Sequence, residues 1–229
     1  MAKMETALII GAGPGLSASL ARVFSAEGMQ IALAARNLEK LAEIAGEIKA
    51  RCYACDAGVR NDVEALFQNV NSDLGAPDVV VYNPSRRIRG PLIELDPEEV
   101  DMALRVTCYG GFLVAQCAAR LMLQAGGGSI LFTGASASIK GYPQSAPFAM
   151  GKFGLRGLAQ SMARELAPGN IHVAHFVIDG GIRGPGHPPE DNDAQLDPDA
   201  IARSYLHVHR QHRSAWTWEI ELRPWVEKF

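Results

Sequence analysis

Two stretches and one cation carry residue types and spacings that could do chemistry. FAMGK sets Phe148 and Lys152 four residues apart, one helical turn, so a phenyl ring and an ammonium project from the same helix face. The ammonium can hold hydroxyl oxygens, whereas the ring can neither donate nor accept a proton. Near the N-terminus, GAGPGLS at 11–17 joins an apolar strand-like run to a helical pattern. Gly11, Gly13 and Gly15 let the backbone approach a pyrophosphate, and the helix that starts around Leu16 supplies N–H donors and a partial positive charge. Ser17 stands where a third glycine would give the closest helix packing. After the second strand-like run, a site for an unphosphorylated dinucleotide places an acid to accept from the ribose 2′-hydroxyl, but this chain has Ala35 and then Arg36. A guanidinium there pairs with a 2′-phosphate in bidentate fashion, which favours NADP(H) over NAD(H).

Two other groups invite a metal or redox reading. Cys52 and Cys55 form a CxxC, yet RCYACD reads as a short strand whose residues three apart point to opposite faces, and no second CxxC follows. These two and Cys108 and Cys117 are expected as free thiols in the core. His207, His209 and His212 fall near the end of a polar helix without an acid spaced to match, so a solvated face is expected and no metal site.

The elements that must position these residues alternate along the chain. Residues 6–10, 30–35, 51–55, 78–82, 128–133 and 171–178 are continuous apolar runs, the mark of strands covered on both faces. Helical spacings lie between them, including Leu16, Leu20, Val23 and Phe24. A long helix opens at DPEE, with Asp96 as cap, Pro97 in the first turn and Glu99 to close a capping box, and runs to about Gln124. A second covers about Pro147 to Ala167. Six such alternations imply an α/β fold, a doubly wound, mostly parallel sheet of about seven strands. LDPDAIARSYLHVHRQH is a capped helix, and AWTWEIEL at 215–222 suits a half-exposed last strand. GPGHPPEDNDAQ at 184–195 reads as a flap over the site, and the whole of 1–229 as one domain.

Composition narrows the partners. At 229 residues, 48% hydrophobic and 21% charged, the chain can bury one sizeable core. A net charge of -3 without a basic run argues against nucleic acid or an anionic membrane and for a small molecule. No 18-residue apolar segment stands out, and MAKMETALIIG enters a strand directly, so a cytoplasmic protein without a membrane span is expected.

The glycine pattern, Asp56 after the third strand, YNPS at 82–85 after the fourth, GASAS after the fifth and the lysine in the next helix together resemble the short-chain dehydrogenase/reductase family over roughly residues 4–183. The resemblance implies a Rossmann-type three-layer αβα sandwich of strand order 3-2-1-4-5-6-7 and a nicotinamide cofactor. It also implies a homodimer or homotetramer built partly on the two long helices. Asp56, with Ala57, would meet the adenine, Asn83 would lie under a ribose, and Lys152 would hold ribose hydroxyls. IDGGI at 178–182 would replace the usual Pro-Gly segment beside the nicotinamide, with Asp179 at the proline position and Gly180 and Ile182 touching the cofactor.

The family's proton machinery is altered. Its tyrosine, four residues before the lysine, corresponds to Phe148, and its serine, thirteen residues earlier, to Ala135. Its asparagine on the preceding long helix corresponds to Thr107, three residues before Gly110. A subgroup of the family with phenylalanine for tyrosine is similar. A positioned general acid contributes roughly 10²–10⁴ in rate and an oxyanion donor roughly 10²–10³. The candidate catalytic positions are Lys152, Phe148 and Ser136, the last one residue from the vacant serine, with Tyr142, Tyr109 or a water held by Lys152 as further proton sources. Two readings stand: an NADP(H)-dependent oxidoreductase acting on a carbonyl or alcohol by a rearranged proton path, and an NADP(H)-binding sensor or oligomer partner without redox chemistry.

Overall fold

Seven strands form one sheet: β1 Thr6–Ile10, β2 Gln30–Ala35, β3 Arg51–Ala54, β4 Val79–Tyr82, β5 Gly128–Thr133, β6 Ile171–Ile178 and β7 Glu219–Leu222. Their order is β3-β2-β1-β4-β5-β6-β7, and every neighbouring pair is parallel. The computed structural model describes residues 4–184 and 193–227, so most of the expected flap at 184–195 lies outside the described residues. The fold expected from the alternation of elements is the one observed.

The helices are α1 Leu16–Ala26, α2 Ala42–Ile48, α3 Arg60–Leu74, α4 Pro97–Leu104, α5 Gly110–Ala125, α6 Ala146–Leu166 and α7 Pro198–His209. Because strand side chains alternate, Leu8, Ile10, Val80 and Tyr82 join one core layer with α3, α5 and α6, while Ala7, Ile9, Val79 and Val81 join the other with α1, α2 and α7. Covering both faces explains why β1, β4 and β6 are buried at every residue. The strand order reverses at β1, so the crevice opens at the carboxyl ends of β1 and β4.

Five expectations change in detail. The first long helix is broken: a single π turn, Arg105–Tyr109, separates α4 from α5. Asp96 caps α4 by accepting from the Glu98 amide at 3.0 Å, but Glu99 closes no capping box, because its carboxylate pairs with the Arg86 guanidinium instead. By length and composition Pro97–Ala125 could cross a membrane, contrary to the expectation of no such segment. Half of its most apolar window is buried, and α5 seats Leu113, Val114, Ala118 and Met122 against the sheet, as a core helix does. His209 is not on a solvated face. It lies one turn after Tyr205 on the inward stripe that buries Ile201, Tyr205 and Val208, and its Nδ1 meets Ser129 Oγ at 2.9 Å.

The last strand is shorter than 215–222. Trp216 lies before it, stacked on His172 at 4.7 Å, and β7 begins at Glu219. Cys52, Cys55, Cys108 and Cys117 are all free, Cys55 fully buried and the others half-buried. Burial pushes the Cys55 thiol up to about 12, as in a core thiol rather than a reactive one. Phe112, Leu123, Met150 and Phe153 stand exposed on the outer faces of α5 and α6.

Candidate active site

Two cavities adjoin at the carboxyl ends of the strands. The first, about 330 Å³, is lined by Gly11, Arg36, Lys40, Asp56 and Ala57, and the second, about 740 Å³, by Leu16, Ser136, Tyr142, Phe148, Lys152, Gly180 and Ile182. Asn83 and Ser85 line both. Gly13 and Gly15 line neither but lie in the turn between Gly11 and Leu16, so the expected cofactor residues converge on one continuous cleft.

The glycine turn is shaped by close approach on one side and open space on the other. Gly11 has φ +77°, and a Cβ there would stand 2.6 Å from the backbone nitrogen of Pro84. A Cβ at Gly13 or Gly15 would meet nothing within 4 Å. Ser17 does more than fill the third glycine's place. Its hydroxyl donates to Gly11 O at 3.2 Å and accepts from Asn83 Nδ2 at 2.8 Å, tying the turn to the residue that follows β4. Gly11→Ala, strained in φ and crowded by Pro84, should lower stability by about 2 kcal/mol or more, whereas Gly13→Ala leaves the melting temperature nearly unchanged. Thermal denaturation of both variants checks this; equal melting points would remove the steric argument.

The first cavity is cationic at one end. Arg36 and Lys40 are exposed there, with no ion pair to either among the described residues. Asp56 is held at the other end, where its Oδ1 accepts from the Gly58 amide at 2.9 Å. A glycine turn at a helix N-terminus, an open face beside it and two free cations after β2 fit a dinucleotide carrying an extra phosphate. Lys40 escaped the sequence reading. Its signal was a second cation four residues after Arg36, ahead of α2.

In the second cavity Lys152 is buried, and its Nζ donates to Thr133 O at 2.7 Å. Burial alone pushes its pKa down to about 8. The Phe148 ring lies one turn earlier, with its centroid 5.8 Å from Nζ. Close packing delivers Lys152: a Cβ at Gly151 would stand 2.9 Å from Thr107 Cβ, so only glycine lets α6 press against the π turn. Thr107 is itself buried, accepts from the Arg86 amide at 3.1 Å and does not line the cavity. Ala135 lines it without a polar side chain, and Ser136 lines it with no side-chain hydrogen bond among the described residues. Tyr142 also lines the cavity, but Tyr109 does not. That tyrosine stacks on Phe112 at the outer surface, which removes it as a proton source.

Asp179 and Glu219 are held in ion pairs. Asp179 is buried, within 3.5 Å of Lys140 and 3.4 Å of Arg223. His175 packs beneath Gly134, with Nδ1 3.1 Å from Glu219, and burial outweighs that acid to push its pKa down to about 4. It is neutral at physiological pH and offers no exchangeable charge there. Arg87 and Arg89 also line the cavity, and the sequence reading passed over them although RRIR follows YNPS directly. Among the described residues no group of three or more His, Cys, Asp or Glu could hold a metal.

Residues 5–185 match the family model for short chain dehydrogenases. The chain belongs to the short chain dehydrogenase family. It is 28% identical over 72% of its length to the human 3-oxoacyl-[acyl-carrier-protein] reductase, covering 70% of that protein. Among solved structures, a short-chain dehydrogenase from Rhodopseudomonas palustris is similar at 37% identity and a TM-score of 0.85, covering 96% of this chain and 99% of the other. A metagenomic short-chain oxidoreductase in complex with NADP is 26% identical, with a TM-score of 0.86 over 97% and 98% of the two chains. Within this family the cleft just described is the site where chemistry is expected.

Proposed function

We propose that this short chain dehydrogenase is an NADP(H)-dependent oxidoreductase that interconverts a carbonyl and an alcohol, with Lys152 supplying the proton that the family's tyrosine otherwise moves. The observation that carries the reading is Lys152 itself, a fully buried ammonium lining a cavity with no phenol one turn before it. Bound nicotinamide supplies or accepts the hydride. The glycine turn and α1 N-terminus would hold the pyrophosphate, Asp56 and Ala57 the adenine, and Arg36 with Lys40 the 2′-phosphate. Asn83 and Lys152 would meet the ribose beyond.

Lys152 is suited to proton transfer because its pKa sits near the working pH, where an acid is both present and able to give up its proton. One of its three N–H bonds is spent on Thr133 O, which leaves two for ribose and substrate oxygens. Phe148 contributes an apolar wall that keeps water from the ammonium, and the Ser136 hydroxyl is free to donate to the substrate oxygen.

Titration with NADPH and with NADH, followed by nicotinamide fluorescence, tests the cofactor assignment. NADPH should bind at least about tenfold more tightly, and Arg36→Ala with Lys40→Ala should erase most of that preference while leaving NADH binding unchanged. Equal loss for both cofactors would mean that the cations serve the fold or the pyrophosphate rather than the 2′-phosphate. Tight NADPH binding without turnover of any carbonyl or alcohol would instead favour a dinucleotide sensor.

A further inference from the structure

Among the described residues the charges around the second cavity do not balance. Arg87, Arg89 and Lys152 line it against two acids, Asp179 and Glu227. Asp179 is already shared between Lys140 and Arg223. Arg87 lies over the Phe148 ring, with its guanidinium carbon 5.1 Å from the centroid, and Lys152 Nζ lies 5.8 Å from the same centroid. Neither Arg87 nor Arg89 forms an ion pair or a hydrogen bond among the described residues. Their neighbour Arg86 differs, since it is paired with Glu99 and lines neither cavity. Both arginines are exposed; partial burial first, and Arg89 second, pull the Arg87 pKa below its ordinary value, and no acid among the described residues offsets this.

A ring flanked by two cations is a poor place for a neutral, greasy substrate. Cations are costly to desolvate without a counter-charge, and a planar guanidinium fork matches a carboxylate or phosphate group in bidentate fashion. Phe148 also holds the guanidinium over its ring by a cation–π contact at 5.1 Å, which leaves the Arg87 N–H groups for an acceptor. On this view phenylalanine at 148 serves as a platform for Arg87 as well as a wall.

Resting on the oxidoreductase reading, we propose that the substrate carries an oxyanion, a carboxylate or a phosphate, which Arg87 and Arg89 hold at the mouth of the cavity while the carbonyl or alcohol points toward Lys152. This narrows the substrate class to oxo or hydroxy acids and phosphorylated ketones or alcohols.

The test uses matched probes on the full chain with NADPH bound. Binding of phenylglyoxylate is compared with that of its methyl ester, and of dihydroxyacetone phosphate with that of dihydroxyacetone, by calorimetry, with turnover read in parallel. At least one anion should bind about tenfold or more tightly than its neutral partner. Arg87→Gln with Arg89→Gln should abolish that preference while leaving the neutral probes and NADPH unchanged, Arg87→Lys should restore part of it, and Arg86→Gln should not alter it. Preference for the carboxylate or for the phosphate then names the source of the oxyanion. Equal binding of charged and neutral probes, absence of binding by all four, or a preference that survives the double substitution overturns the proposal. Retained anion preference without hydride transfer leaves the oxyanion site standing and refutes only the oxidoreductase reading.

Discussion

Lys152→Met is expected to make the protein more stable and less active at once. A buried ammonium whose pKa falls from 10.5 to about 8 penalises the folded state wherever the charged form must be kept, which is the whole range below pH 8. Between about pH 8 and 10.5 the unfolded chain holds a proton that the native one has released, so the wild type gains stability as pH rises and the penalty disappears above that window. Methionine has similar length and no charge, but it leaves the Thr133 carbonyl without its donor. The net gain at pH 7 should be about 2 kcal/mol, worth several degrees in melting temperature, and should vanish near pH 10.5. Carbonyl reduction at saturating NADPH should fall by about 10²-fold or more, because the proton source is gone. The wild-type rate should be flat below pH 8 and decline above it, as a general acid requires, and the variant should lose that inflection. Thermal melts across pH together with pH–rate profiles check both halves. A variant that is less stable at pH 7, or one that keeps the inflection, would show that Lys152 is charged at little cost or is not the acid.

Phe148→Tyr combined with Ala135→Ser should raise kcat for carbonyl reduction by roughly 10²-fold. The phenol would stand one turn from the Lys152 ammonium, whose charge lowers a neighbouring tyrosine's pKa, and the serine hydroxyl would face the same cavity. Arg87 keeps an aromatic ring to lie over, so oxyanion binding should change little. The decisive measurement is single-turnover oxidation of bound NADPH with the wild type and the double variant on one substrate. No increase would mean that Lys152 already delivers the proton as fast as the family route does, or that the cavity places substrate out of reach of position 148.

Much of this protein was legible before any tertiary contact was known, because its signals are local and periodic. Continuous apolar runs read as strands covered on both faces, and their alternation with helical spacings leads to the parallel sheet, while the strand order came from the family resemblance. A turn needing positive φ can be read from Gly11, and the cofactor end can be read from Arg36, since each depends on one residue and its immediate neighbours. What escaped depends on where separate segments meet. Ser17 looked like a defect in the glycine pattern until Asn83, 66 residues away, was seen to donate to it. Glu99 fitted a capping box, but Arg86 from the preceding loop lay closer to its carboxylate. Thr107 matched a catalytic position by spacing, yet the π turn and Gly151 bury it against α6.

Lys152, Phe148 and Ala135 were nameable from the sequence as an altered catalytic set. Only the tertiary structure decided that Lys152 is buried deeply enough to hold its proton less tightly, and that Arg87 from the loop after β4 lies over Phe148 in α6 with no acid paired to it among the described residues. Residue type and spacing determine which groups a segment can offer. Desolvation and the sign of the surrounding charge come from all the segments that fold around a site, and no single stretch of sequence carries them.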